Sequence, residues 1–563
     1  MTSVSSLSSS PTSSSTSSSS SSEIDWSGLI EEAVAARLAK ADSVDLKITQ
    51  KQAKIAAVEE MRSLVADLVD ATQALRAPSG TIGAADDVFL ARAGYLSANG
   101  SVDAEGSLGI TVKNGTRPAS YDIKIRQIAQ AHKVAGAAFS SNSTDLGYSG
   151  VVRLGTVGGQ SVDIAIDGGM TLAEIAAAIN NQSSTSGVQA TVLKVAGSTY
   201  KLVLSTTATG QTISAGAVSG DDVLSSLGIL GEGGAFADEL QAAQDAIFSV
   251  DGVEVTRDDN DIDDVVDGVT FNLYQATPDG SSITVAIEPD LGVVKKGIQA
   301  FVDAYNSYRA FAVGQQTLAS SDDTTQSDDI TQSPLFGDGT FRGINTAILD
   351  ALNVTVGGLS LADIGLSFDQ SNHLKLDEDV LNKALVNNVE AVKRLLSFQA
   401  TPSSSNLMLL ERGRSAPSTF TLDIAVGTDG AMTAVSVDGN SSLFTIRGTR
   451  IIGMAGTAYE GYAFVYAGKE SASIDVAVST GLAEVLHNVG ASASDDGDGT
   501  LRTLADGMED DIKGLQERSD RITQSAAEYR ARLTERYARI RGAIQKAEAV
   551  QSYLELMMNA MYK

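Results

Sequence analysis

The sequence predicts an α+β multidomain fold, in which long terminal coiled-coil helices form a leg and antiparallel β-rich head domains are inserted between them. Three observations predict it. At the carboxy end Ile512, Ala526, Leu533, Ile540, Ala547, Leu554 and Met561 share one heptad register, and Leu515, Ile522, Tyr529, Ala543, Val550 and Met557 follow three residues on, with Ser519 and Arg536 as interruptions. At the amino end Val34, Ala41, Ile48 and Ile55 step by seven, and Met61, Leu68 and Leu75 continue the seam after a shift. Between these ends the apolar pattern changes to period two, the mark of half-buried strands.

Residues 1–22 are almost entirely Ser and Thr, so they cannot bury enough apolar area to offset their ordering entropy and are expected to be a disordered leader. They hold no apolar h-region, so no ordinary signal peptide is expected. Residues 23–47 are predicted as a terminal helix, mobile in the isolated chain, and 48–86 as a leg-domain helix. The amino-terminal seam, closed by Pro78 and Gly80, fits a helix of about 50 residues, roughly 80 Å long. The step from Ile55 through Val58 to Met61 resembles a stammer.

Strands follow at 106–112 and 121–126 with Asn114-Gly115 as a turn signal, and residues 87–145 with 246–292 are assigned to a β head domain. The Ser/Asn/Gly-rich stretch from Gly136 to Gly150 reads as a boundary. An α+β head domain is then inserted at 146–245: a strand at 162–166, a helix, and strands opening near Gly187 and Tyr200. Thr171 and Glu174 have capping-box spacing, and Leu172, Ile175 and Ile179 give that helix one apolar face. The head resumes at Ala246–Val250, turns at Asp251-Gly252, pairs back through 253–256 and adds Val269–Leu273. Residues 293–400 are leg-domain helices: Val294, Ile298, Phe301, Tyr305 and Tyr308 alternate steps of four and three, and further helices are expected at 341–352 and Glu378–Leu396. An additional β domain is expected at 401–485 with the acidic run 495–499 as its exit linker, then a leg-domain helix at 486–525 and a terminal helix at 526–563.

A chain of 563 residues exceeds one core and implies about three to five domains. Its net charge of −29 and pI near 4.4 speak against nucleic acid or an anionic membrane surface as partner, because phosphate binding needs clustered Lys and Arg. Between Lys513 and Lys546 the balance reverses, with Arg518, Arg521, Arg530, Arg532, Arg536, Arg539 and Arg541 outnumbering Glu517, Asp520, Glu528 and Glu535. This reads as a solvated helix face, or as one that steers the helix toward an acidic neighbouring subunit. With no cysteine there is no disulfide, thiolate metal site or cysteine nucleophile. The three histidines, His132, His373 and His487, sit in unrelated segments, and no metalloprotease, nucleophile-elbow or phosphate-loop motif occurs, so neither an enzyme nor a cofactor is expected. Asp259, Asp261 and Asp263 alternate as in an EF-hand, but Asp264 replaces the required glycine and Thr270 the closing glutamate. No stretch approaches a membrane span.

An apolar stripe on the extreme terminus suits a chain that docks into an assembly, and the two seams can also pack on each other. The opening helix Ile24-Asp-Trp-Ser-Gly-Leu-Ile-Glu-Glu-Ala-Val-Ala-Ala-Arg, the segments Phe248-Ser-Val-Asp-Gly-Val-Glu-Val-Thr-Arg and Val265-Val-Asp-Gly-Val-Thr-Phe-Asn-Leu, and Leu361-Ala-Asp-Ile-Gly-Leu with Leu374-Lys-Leu-Asp resemble the flagellar filament cap family, hook-associated protein 2. Residues 162–205 resemble the flagellin-hook insertion motif. The Ser-rich leader and the additional β domain depart from the shortest members. The resemblance implies a structural protein at the extracellular filament tip, exported by the flagellar type III apparatus. It also implies a ring of copies, taken as a pentamer, that guides folding and insertion of flagellin. Further implied partners are hook-filament junction proteins and an export chaperone at the C-terminal helix. The expected assembly seam is Ile48, Ile55, Met61, Leu68, Leu75, Ile512, Leu515, Ile522, Tyr529, Leu533, Ile540, Leu554 and Met561. The alternatives are a secreted adhesin built of β modules and another axial component of the same organelle.

Overall fold

A computed structural model describes residues 25–76, 87–316, 318–319, 331–413 and 417–561; the Ser-rich leader, Pro78 and Gly80 lie outside the described residues. The chain divides into two units, one of Met1–Asp67, Ser307–Ala347 and Val489–Lys563, the other of Leu68–Asn306 and Ile348–Asn488.

The first unit is helical. Its amino-terminal helix Trp26–Gln73 runs into the second unit and contains no Pro, and no Gly after Gly28, so nothing interrupts its ladder. Asp25 starts it by accepting the N–H of Gly28 at 2.9 Å. The carboxy-terminal helix Thr500–Met561 begins beyond a tight acidic turn, where Asp495 accepts the N–H groups of Gly497 and Asp498 at 2.8 and 3.1 Å. Those bonds hold its carboxyl below the usual carboxylate range. Helix Gly339–Leu352 is capped by Asp338, which accepts the N–H of Phe341 and pairs with Lys54 at 2.6 Å. Tyr308, Ala312 and Phe341 are buried here, and buried Arg309 donates to Asn345 at 3.2 Å.

Among the described residues, three of the second unit's buried clusters are built on sheets, beside buried side chains of its helices such as Ile298, Phe301, Tyr305 and Leu381. The head pairs a five-stranded antiparallel sheet, in the order Arg92–Asn99, Ser282–Pro289, Ala119–Gln127, Ala246–Val250 and Val253–Arg257, with a three-stranded sheet of Asp261–Val266, Val269–Leu273 and Leu108–Val112. Their apolar faces meet through Leu108, Ile123, Phe248, Phe271 and Val285. Asp251 and Gly252 both take positive φ, 51° and 83°, as a two-residue hairpin requires. The stretch around Asn114-Gly115 instead joins two different sheets.

The second core is the inserted α+β domain. Thr171 and Glu174 close the capping box, and Leu172, Ile175 and Ile179 are buried against the sheets. Its expected start at 146 is corrected: strand Lys133–Phe139 pairs with Thr199–Thr206, so the insertion begins before Gly136. The small residues read there as a boundary serve close packing, since a Cβ on Gly136 would sit 2.6 Å from the Leu227 carbonyl oxygen.

The third core is the additional β domain, a sandwich of two four-stranded sheets. One sheet runs in the order Gln399–Pro402, Ala472–Ser479, Thr419–Val426, Met432–Ser436, and the other Leu407–Glu411, Ala463–Tyr466, Arg450–Gly453, Phe444–Arg447. Phe398, Phe420, Phe444, Tyr459, Tyr462, Phe464 and Tyr466 fill it. The strands end at Ser479 and helix Leu482–Ser494 follows, so the acidic run 495–499 is a break between two helices and not the exit linker of this domain. The exit is tight: a Cβ on Gly481 would meet the Leu396 carbonyl oxygen at 2.3 Å.

Helix Glu378–Leu396 has the expected bounds but breaks at Asn388, where φ is −161°, and the Asn388 side chain caps the second half by accepting the N–H of Ala391. Among the described residues no helix is long and apolar enough to cross a membrane.

Candidate functional site: the terminal helix pair

Within the first unit the two long helices run antiparallel. Each step up one is matched by a step down the other: Trp26 packs against Tyr537 with ring centroids 5.0 Å apart, Glu31 pairs with Arg530, the Arg37 guanidinium lies 3.8 Å above the Tyr529 ring, Lys51 meets Asp511 at 2.6 Å, and Arg62 reaches Asp496. Trp26 is the only tryptophan of the chain and, among the described residues, marks the last such contact toward the carboxy end.

The expected seam residues fall into three groups. Ile48 and Met61 are buried, Ile55, Ile512, Leu515, Ile522, Tyr529 and Ile540 are half-buried, and Leu533 is 8% exposed. Leu68 and Leu75 are buried and lie in the second unit. Among the described residues the stripe is uncovered beyond Ile540: Val550, Leu554 and Met557 on it are exposed, Leu554 at 54%, with exposed Leu556 and Met558 beside it, and Met561 is the last helical residue. Ser519, expected to interrupt the seam, is buried within it. Tyr537, one residue past the interruption at Arg536, supplies the contact the heptad lacks there. The phase shift at Ile55 is absorbed without a break, with Val58 and Met61 fully buried after it.

Electrostatics add register more than strength. The Lys51–Asp511 and Glu31–Arg530 pairs are largely exposed, and such pairs contribute about 0–1 kcal/mol each. Arg536, Arg539, Arg541 and Lys546 form a basic collar next to the uncovered stripe, in a chain of net charge −29.

The three histidines are placed structurally. Buried His132 accepts the Ile213 N–H at Nδ1 and lies 2.9 Å from Glu239 through Nε2, tying two sheets together. His373 sits 3.6 Å from Asp369. His487 lies 3.4 Å from Thr72, and burial together with Arg76 and Arg412 pushes its pKa down. Glu484, four-fifths of a turn away on the same helix, receives both Arg76, at 2.8 and 3.0 Å, and Arg412 at 3.1 Å. Sequence reading missed this cluster, whose members stand 408 residues apart for Arg76 and Glu484. Among the described residues no group of acidic and His side chains is arranged to hold a metal.

Residues 243–549 match the family described as flagellar hook-associated protein 2 C-terminus, 22–132 its N-terminus, and 152–208 the flagellin hook IN motif. The chain belongs to the flagellar hook-associated protein 2 family. The A-type flagellar hook-associated protein 2 of Pseudomonas aeruginosa is 26% identical over 67% of this chain and 79% of its own length. The flagellar hook-associated protein 2 of Salmonella typhimurium is 31% identical over 42% of this chain and 51% of its own. Among solved structures, the D1-D2-D3 domains of the flagellar cap protein FliD from Escherichia coli align over 80% of this chain and 99% of theirs, with 20% identity and a TM-score of 0.48. The Pseudomonas and Salmonella relatives are named as flagellar hook-associated proteins, and neither name supports the adhesin reading.

Proposed function

We propose that this chain caps the distal tip of the bacterial flagellar filament, where a ring of copies promotes folding and insertion of flagellin. The observation that carries the reading is the family match over residues 243–549, which takes in five of the eight strands of the β head, the leg helices that follow them, the additional β domain and the carboxy-terminal helix as far as residue 549. The uncovered stripe supports it physically. A side chain such as Leu554 gains about 1.5–3 kcal/mol on full burial, and a leg burying about ten of that size gains roughly 15 kcal/mol before ordering entropy is subtracted. That net grip is reversible, as a cap that steps with each inserted subunit needs. In this reading the pentameric ring sits on flagellin, the legs contact hook-filament junction proteins during assembly, export runs through the flagellar type III apparatus, and a chaperone covers the C-terminal helix beforehand. The seam residues from Ile48 to Met561 act as leg contacts, with those beyond Ile540 facing the partner.

The test is deletion of the gene, followed by comparing flagellin in the medium with filaments seen by electron microscopy. Medium rich in monomeric flagellin around cells with bare hooks is the expected result. Normal filaments would overturn the reading.

A further inference from the structure

The additional β domain has two outer sheet faces of opposite character. On one, Met408, Val465, Arg450 and Arg447 form a single row across three strand pairs, with Ile452 opposite Thr445 in the next. None of these apolar residues belongs to the domain's core, and Met408 is 58% exposed. Arg447 and Arg450 stand directly opposite each other, both exposed, and neither forms an ion pair among the described residues. Like charges directly opposite on adjacent strands are unfavourable. An anionic surface laid on this face relieves that repulsion, and the apolar row beside it gains burial.

The other outer face offers such a surface. Asp423 and Asp475 point outward from paired strands, and each is bonded only to a neutral hydroxyl: Ser473 donates to Asp423 at 2.6 Å and Thr421 to Asp475 at 2.7 Å. No cation neutralises either among the described residues. Beside Asp423 lies a shallow depression of about 370 Å³ lined by Asp423, Ala425, Ala434, Ser436, Ser471 and Ser473, open enough to accept one long side chain. One sandwich thus carries uncompensated cations and exposed Met on one side, and uncompensated carboxylates over a small-residue hollow on the other.

We propose that the additional domain of one copy docks through its Arg447/Arg450 face onto the Asp423/Asp475 face of the next copy, making a heterologous ring contact. Contacts of this kind close into rings when the rotation allows, whereas a two-fold contact stops at a dimer. The proposal rests on the self-assembly reading above and assigns a role to the additional β domain.

Sedimentation velocity of the full-length chain over a concentration series at low salt tests it, with Arg450→Glu, Asp423→Arg and the double variant. All the changes are on exposed positions, so thermal midpoints should match wild type. Each single reversal should weaken association about tenfold or more per contact, and the double variant should restore it, because the reversed charges then face each other. Wild-type oligomers that both single variants preserve would overturn the face assignment and leave the ring reading standing. Weakened singles with no rescue in the double would overturn the Arg450–Asp423 pairing. Monomers at every concentration in wild type would overturn both.

Discussion

The terminal helix pair and the additional β domain solve the same problem, covering apolar surface, in opposite ways. The sandwich is complete in itself: seven aromatic side chains fill its core, with Phe444 and Tyr459 centroids 4.8 Å apart, and its root is fixed by Arg412 reaching buried Glu484. Burial pushes the Tyr462 hydroxyl up to about 12, which keeps it neutral there. The helix pair is left unfinished. Its ion pairs lie at the surface, its seam is covered only as far as Ile540, and its last turns expose Val550, Leu554 and Met557. A finished core stabilises a domain, whereas an unfinished seam stores binding free energy for a partner.

The sharpest way to break this contrast is at the root of the sandwich. Glu484→Ala leaves Arg76 and Arg412 without their buried carboxylate and should cost about 3–5 kcal/mol in chemical denaturation. A cost under about 1 kcal/mol would show that the cluster is not what fixes the domain. Leu533→Ala in the covered seam should cost about 2 kcal/mol, read as earlier loss of helical circular dichroism while the β signal persists. Thr171→Ala removes one cap and should cost about 1 kcal/mol in the inserted domain alone. Acid should loosen the helical unit at Asp338, whose carboxyl is held below its usual value: burial alone raises it, but Lys54 and the Phe341 N–H outweigh that. A depressed pKa stabilises above the unfolded value of about 3.9, and the contribution is lost as pH falls through the lower folded value. Asp338→Asn should therefore flatten the acid limb of the helical melting curve. The smallest effect is expected at Leu554→Asp, within about 0.5 kcal/mol of wild type in the isolated protein, because the side chain is already exposed.

What was legible in the sequence follows from how local each signal is. The hairpin at Asp251-Gly252, the capping box at Thr171 and the helix Glu378–Leu396 rest on neighbours within a few residues, and the structure has them where the pattern places them. Strand Lys133–Phe139 was hidden because its partner lies some seventy residues on and its Gly and Ala content imitates a linker. Helix Leu482–Ser494, with Gly490 and then two alanines and two serines at its end, carries too weak a periodicity to separate it from the sheet before it. In the site, the heptad showed which face of each helix is apolar. It could not show where coverage stops, because that depends on where the antiparallel partner begins. The Arg76–Glu484–Arg412 cluster left no sequence signal, since a long-range charge pair has no period.

The most direct test of the central claim is to introduce Leu554→Asp with Met557→Asp into cells that lack the native gene. The account predicts a protein that melts like wild type and is recovered in the medium, yet leaves hooks bare and flagellin monomeric. Filaments of normal length on those cells would contradict it, because the uncovered stripe would then have no part in gripping the tip.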